Sequence, residues 1–233
     1  MNLQFITSVS KNYWYSTAKH CLATWNLPGE IIVYIDQKEG DVDWFNEIPY
    51  KKRLLHVPQL KVADYIDDKT KVRKFWGKSC AQIHAVRNRG EDTRVIWLDA
   101  DIEQLQEIPD ELFEFSFKAE VALMRSNTTS EDRYESGLVI FNQQHEKLTL
   151  FANQYEKFWK SEEDLLSCFR PYDNYVIGKL AEKRSHLNLV HTECENKDAL
   201  ENTMFGPYFK HWINKDNKKL LQELKDPQNI SEE

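Results

Sequence analysis

Asp99 and Asp101 stand one residue apart, directly after the apolar run Val95-Ile96-Trp97-Leu98. In an extended backbone residues i and i+2 point to the same side, so two carboxylates at this spacing can share one divalent cation. Their hard oxygens suit Mg²⁺ or Mn²⁺, ions that complete their shell with phosphate oxygens and water. A surface turn in which one aspartate caps a helix is the plainer use of Asp-x-Asp. The apolar run before it instead reads as a buried strand ending at a site, and in open α/β sheets ligands bind beyond the carboxyl ends of the strands.

The elements that would position such a site are legible along the chain. Leu3 to Ser10 alternates like a first strand running into a small polar loop, a common seat for a nucleotide, and places Thr7 and Ser8 at its end. Tyr13 opens a helix that runs to Trp25 and is stopped by Asn26-Leu27-Pro28-Gly29; an aromatic so near the strand end is placed to stack on a base. Glu30 to Asp36 is a second strand closed by a carboxylate, Gly40 to Pro49 reads as loop, and Arg53 to Val57 as a third strand. From Ile66 to Arg89 the pattern is helical, with Lys69, Lys71, Arg73, Lys74 and Lys78 gathered near its beginning. Such cations ordinarily make a solvated face, yet this helix leads into the strand of the two aspartates, within reach of a diphosphate held there. His84, among apolar neighbours, reads as a packing histidine.

Beyond the aspartates, Ile108 to Phe113 reads as a short helix, Ala119 to Met124 as a strand and Arg125 to Glu135 as a polar loop over a site. Ser136-Gly137 then runs into the apolar strand Leu138 to Asn142, and glycine at such a position marks a close approach of ligand or backbone. A long amphipathic helix follows from His145 to Trp159. Another starts near Pro171 to Tyr175, with Asp173 as its N-cap in the simplest reading. Strands alternating with helices predict an α/β fold with a Rossmann-like, mostly parallel central sheet flanked by helices.

Composition narrows the function classes. With 233 residues, 41% hydrophobic and 12% aromatic, the chain can bury one large core, and no second domain is indicated. The formal net charge of -7 excludes a broad electrostatic footprint for nucleic acid. Met1 to Thr7 lacks the basic and apolar regions of a signal peptide, and no stretch is long and apolar enough to span a bilayer, so the expectation is a cytoplasmic protein. Cys21, Cys80, Cys168 and Cys194 show no C-x-x-C spacing, which argues for free thiols over a zinc site or disulfides.

These motifs, in this order, resemble a GT-A glycosyltransferase, in particular the small GT8-like and GT32-like enzymes, across residues 1–220; residues 221–233 form a helix end and tail. Leu98-Asp99-Ala100-Asp101 is similar to the family's DxD motif, which implies that Asp99 and Asp101 hold Mn²⁺ or Mg²⁺ on the diphosphate of a nucleotide-sugar, with Ala100 between them at the donor. Ser136-Gly137 through Asn142 resembles the strand beside the donor sugar. His211 with Lys215 resembles the C-terminal His-x-x-Gly-x-Lys region, implying that His211 completes the metal shell and Lys215 touches phosphate; Asn214 replaces the glycine. Asp173 resembles an acidic or amide position of retaining relatives and is expected to face the sugar.

The implied partners are a nucleotide-sugar donor, with a UDP-sugar the expectation, and an acceptor that is a glycan, lipid, protein or modified nucleic acid. Thr7, Ser8 and Tyr13 would hold base and ribose, and Lys78 or Lys215 would add a cation on phosphate. Whether the sugar configuration is retained or inverted is left open. Two other classes fit the same residues: a metal-dependent nucleotidyltransferase, although Thr7 to Tyr13 contains no glycine, and a nucleotide-sugar-binding module without turnover.

Overall fold

The computed structural model describes residues 2–39, 43–60, 69–90, 92–116, 118–125, 134–142, 147–168, 171–184, 186–190 and 199–212. Seven strands form one sheet in the order β3-β2-β1-β4-β7-β6-β8. They are β1 (Asn2–Val9), β2 (Glu30–Asp36), β3 (Lys51–Leu55), β4 (Thr93–Leu98), β6 (Val121–Arg125), β7 (Tyr134–Phe141) and β8 (His186–Asn188). Parallel pairing joins β1 to β2 and β4, β2 to β3, and β6 to β8; only β7 runs against its neighbours β4 and β6. The chain moves outward from β1 through β2 to β3, then returns to place β4 on the other side of β1. The carboxyl ends of β1 and β4 therefore meet at a topological switch point, where a crevice opens in sheets of this kind.

Alternation along the central strands builds a core on each face. Ile6, Tyr34, Val95, Trp97 and Val139 face one side, beneath α3 (Lys69–Arg87), α5 (Leu148–Lys160) and α7 (Asp173–Ala181). Phe5, Val33, Ile96, Leu98 and Ile140 face the other, covered by Trp14, Leu22, Trp44, Phe113 and Phe205. In α5 the buried residues Leu148, Phe151, Ala152, Tyr155, Phe158 and Trp159 recur at three- and four-residue spacing, which gives one apolar stripe for the sheet and α3. Burying each of these large side chains contributes roughly 1.5–3 kcal/mol.

Several expectations shift. The first helix is not uniform: α1 (Lys11–Tyr13) and α2 (Lys19–Ala23) are joined by a π-helical turn, Trp14–Ala18. Residues 43–47 of the expected loop form a 3₁₀ turn that buries Trp44 and Phe45, because two large aromatics outweigh the polar residues around them. The third strand begins earlier and ends earlier than its apolar residues suggest, since it is an edge strand whose pairing with β2 is made through the backbone of Lys51 to Leu55. The N-cap of α7 is Tyr172, and Asp173 is the first helical residue with its side chain committed elsewhere. The short helix α4 spans Asp110–Ser116, and α6 (Glu162–Leu166) follows α5, with Ser161 accepting from the Asp164 N–H as its cap. Three-residue strands β5 (Ile102–Gln104) and β9 (Phe209–His211) form a separate antiparallel pair that periodicity is too short to announce. The expected loop over 125–135, Cys194, and the tail fall wholly or mostly outside the described residues. Cys21, Cys80 and Cys168 are free and buried, and no described helix is long and apolar enough to cross a membrane.

Candidate metal and donor site

The end of β4 is tied to its neighbour before it turns. Asp99 N–H donates to the Gly137 carbonyl at 2.8 Å, and the Ile102 N–H donates back to the Asp99 carbonyl at 3.1 Å, so Asp99 to Ile102 is a tight turn that projects both carboxylates. Directly after it, β5 pairs with β9, with Ile102 opposite His211. Trp212 fixes that register twice: its N–H donates to the Asp101 carbonyl at 3.0 Å and its indole to Glu103 at 2.9 Å. His211 is thereby held over the turn, with Nε2 3.3 Å from Asp101 Oδ1.

One ligand atom each from Asp99, Asp101 and His211 lies within 4.8 Å of the others. Ligands about 2.1 Å from an Mg²⁺ stand at most about 4.2 Å apart across the ion, so a small closure suffices. Two carboxylate oxygens and an imidazole nitrogen also match the donors that Mn²⁺ and Mg²⁺ accept. The residues fit a divalent ion.

Gly137 explains how close the histidine can come. A Cβ at this position would stand 3.2 Å from His211 Cε1 and 3.7 Å from Asp99 Oδ2, the first of these tighter than ordinary contact. Gly137→Ala is expected to push the imidazole aside and weaken Mn²⁺ binding about tenfold, a cost typical of disturbing a ligand's support. Calorimetric titration checks this, and unchanged affinity would make the close packing incidental.

Lys78, from α3, is 9% exposed and holds two carboxylates at once: Nζ is 2.7 Å from Asp99 Oδ1 and 2.9 Å from Asp173 Oδ2. It also donates to the Ser136 carbonyl at 3.0 Å and hydroxyl at 3.1 Å. Burial alone would lower its pKa, but Asp173 and Asp99 more than reverse this, so the ammonium is held above the ordinary lysine value. Burial raises the Asp99 carboxyl above the usual range against the pull of Lys78. Asp101 moves oppositely: burial is overcome by the hydrogen bond and charge of His211 and by the Tyr13 hydroxyl. Burial and the two aspartates push the Tyr13 phenol far up, which keeps it a donor to Asp101. Burial, Asp101 and Glu103 push the nearby Cys21 thiol up to about 12, which leaves it unreactive.

Beside the aspartates lies a cavity of about 430 Å³ at the switch point. Ser8 and Ser10 line it from the end of β1, Tyr13 from α1, Asp36 from β2, Arg73, Lys74 and Lys78 from α3, and Asp99, Ala100 and Asp101 from the turn. Ser10 reaches back to accept from the Tyr13 N–H, and the Lys74 ammonium sits 4.9 Å from the Tyr13 ring centre.

The residues singled out in the sequence are thus brought together with few exceptions. Ser8, Tyr13, Lys78, Ala100, Asp99 and Asp101 line the cavity; Ser136, Gly137 and His211 adjoin it through Lys78 and Asp99. Asp173 is 1% exposed and is joined to the site by Lys78. Thr7 stands apart, fully buried and not in the cavity wall. Lys215 lies outside the described residues. His84 is indeed a packing residue, its Nδ1 3.2 Å from the Tyr34 hydroxyl. Sequence reasoning missed Trp97, whose indole donates to Asp99 Oδ1 at 2.7 Å; the same i, i+2 spacing that pairs the aspartates was its signal.

The galactosyltransferase LgtC, solved with donor and acceptor sugar analogues, superposes with a TM-score of 0.55 at 10% identity, covering 99% of this chain and 98% of that one. The fold is GT-A. A glycosyltransferase involved in glycosylating the major capsid of PBCV-1 matches at TM-score 0.51 and 10% identity, over 97% of this chain and 99% of its own. The glycosyltransferase GlyE of Streptococcus pneumoniae TIGR4 matches at 0.53 and 14% identity; 81% of this chain aligns, spanning 45% of GlyE. At these identities the likeness is one of GT-A architecture. No protein-family model and no curated protein matches the sequence.

Proposed function

We propose that the protein is a glycosyltransferase that moves a sugar from a nucleotide-sugar, with a UDP-sugar the first donor to try, to an acceptor hydroxyl. The observation that carries this reading is the junction of the Asp99, Asp101 and His211 cluster with the cavity at the carboxyl ends of β1 and β4. A divalent ion bound by those three side chains would neutralise the charge that develops on the departing diphosphate.

The chain's own residues supply the rest. Ser8 and Tyr13 offer a hydroxyl and an aromatic face for the nucleoside, on the side of the cavity where Asp36 adds a carboxylate. Arg73 and Lys74 bring positive charge to the same wall and favour a phosphate-bearing ligand. Thr7 is too deeply buried to join them. Lys215 is assigned to phosphate by resemblance alone. Ser136 and Gly137 are assigned to the sugar side. Asp173 belongs there too, and because it is buried, Lys78 is the residue that presents the pair to the cavity.

The test is a panel of nucleotide-sugars and nucleoside triphosphates incubated with the protein and Mn²⁺ or Mg²⁺, with released nucleotide measured. Release of a nucleoside diphosphate from one sugar donor, lost on adding chelator, is the expected result. Pyrophosphate release from a triphosphate would assign a nucleotidyltransferase instead, and binding without turnover of any donor would leave a binding module.

A further inference from the structure

We propose that Trp97 is a positioning residue for the metal: by occupying one oxygen of Asp99 it leaves the other as the sole ligand atom, and so favours Mn²⁺ or Mg²⁺ over Ca²⁺. This rests on the metal reading of the Asp99, Asp101 and His211 cluster.

Asp99 Oδ1 receives two donors at the same short distance, the Trp97 indole N–H at 2.7 Å and the Lys78 ammonium at 2.7 Å. Hydrogen bonds to a carboxylate are among the stronger ones in proteins, and two of them saturate the lone pairs of that oxygen. Oδ2 lies on the Gly137 side, 3.7 Å from where a Cβ there would stand, and the His211 ring approaches the same point to 3.2 Å. The two donors are not equivalent. Lys78 divides itself between Asp99, Asp173 and Ser136, whereas the indole N–H has one bond to give. Trp97 is also tightly packed, being 1% exposed near the end of β4 between Ile6 of β1 and Val139 of β7. The indole is therefore a fixed clamp on the carboxylate plane.

The consequence lies in ion choice. Ca²⁺ gathers six to eight oxygens and readily takes both oxygens of a carboxylate, while Mg²⁺ demands an octahedron of single oxygens at shorter range. A site whose Asp99 offers only Oδ2 starves Ca²⁺ of a ligand and suits the smaller ions. Without the indole, Oδ1 is held only by the Lys78 ammonium, which is shared with Asp173 and Ser136, and Asp99 can turn more readily to offer both oxygens.

Calorimetric titration of the full chain and of Trp97→Phe with Mn²⁺ and with Ca²⁺ tests this, with circular dichroism reporting the fold. The expected result is Mn²⁺ affinity lowered about 10- to 100-fold, the usual cost of losing a ligand's outer partner, and Ca²⁺ affinity lowered less, so that the preference narrows. An unchanged preference in a folded variant overturns the proposal. Because Trp97 also belongs to the core, a second measurement uses the unaltered chain labelled with ¹⁵N. Its indole signal nearest the site, identified as the first broadened by Mn²⁺, should lie downfield without metal and remain there with Mg²⁺. An upfield move on Mg²⁺ binding would mean that Oδ1 has left the indole for the ion, and would overturn the proposal even if Trp97→Phe does not fold. Failure of the unaltered chain to bind any divalent ion would instead remove the metal reading itself.

Discussion

Asp101→Asn is expected to abolish metal-dependent release of nucleotide from the donor, by at least about a hundred- to a thousandfold, with Asp99→Asn equally severe. The loss follows from charge. Asp101 is a half-buried carboxylate whose close partners are His211 and Tyr13, and an amide oxygen in its place removes one unit of negative charge from the ion's shell while keeping the shape. The fold should survive, because the backbone bonds that make the turn are those of Asp99 and Ile102 and do not involve the substituted atoms. Melting curves and Mn²⁺ titration decide the matter together. A variant that melts normally, fails to bind Mn²⁺ and has lost turnover fits the assignment; one that retains Mn²⁺-dependent turnover ends it.

Lys78→Met should be the most destabilising single change in the site. It removes the ammonium shared by Asp99 and Asp173 and leaves the second of these carboxylates 1% exposed with its counter-charge gone. Stripping one partner from a buried ion pair typically costs about 3–5 kcal/mol. For a chain of this size that corresponds to a fall of about 6–20 °C in melting temperature. The cause can be separated from lost packing by a second change. Lys78→Met combined with Asp173→Asn removes the stranded charge and should recover most of the loss, which a cavity left by the lysine stem would not. A Lys78→Met protein that melts within a degree or two of the parent would refute the account of Lys78 as the counter-ion of both aspartates.

How far the sequence foretold this arrangement varied with the length of the signal. The central strands were plain because runs such as Glu30 to Asp36 and Val95 to Leu98 are mostly apolar; the first of these was met to the residue at both ends, while the strand of the second begins earlier, at Thr93. Asp99 and Asp101 were legible since the chemistry lies in two neighbouring side chains at the end of such a run. The pairing of Lys78 with Asp173 was not. Its partners come from two helices far apart in sequence, and only the folding of α3 and α7 over β4 and β7 brings them together. Asp173 in particular looked like a capping residue, because an aspartate before an apolar helix ordinarily is one; here burial beside a lysine outcompetes the cap. The strands β5 and β9 escaped for a different reason, three residues being too few for a period of two to emerge. The resemblance of the C-terminal stretch from His211 to Lys215 supplied His211 where periodicity did not.

The β5 and β9 pair also sets the order in which the site is made during synthesis. Trp212 bonds to Glu103 across 109 residues of chain, and the neighbouring His211 joins aspartates laid down far earlier. A ribosome delivering residues at about 5–20 per second therefore finishes Asp101 several seconds before His211 exists. When that interval opens the strands β1 to β4 are already translated and β6 and β7 follow within it, with two carboxylates at the end of β4 and no imidazole beside them. The nascent protein passes through a stage in which both carboxylates exist and the imidazole does not, so the three-residue cluster belongs only to a chain translated past His211.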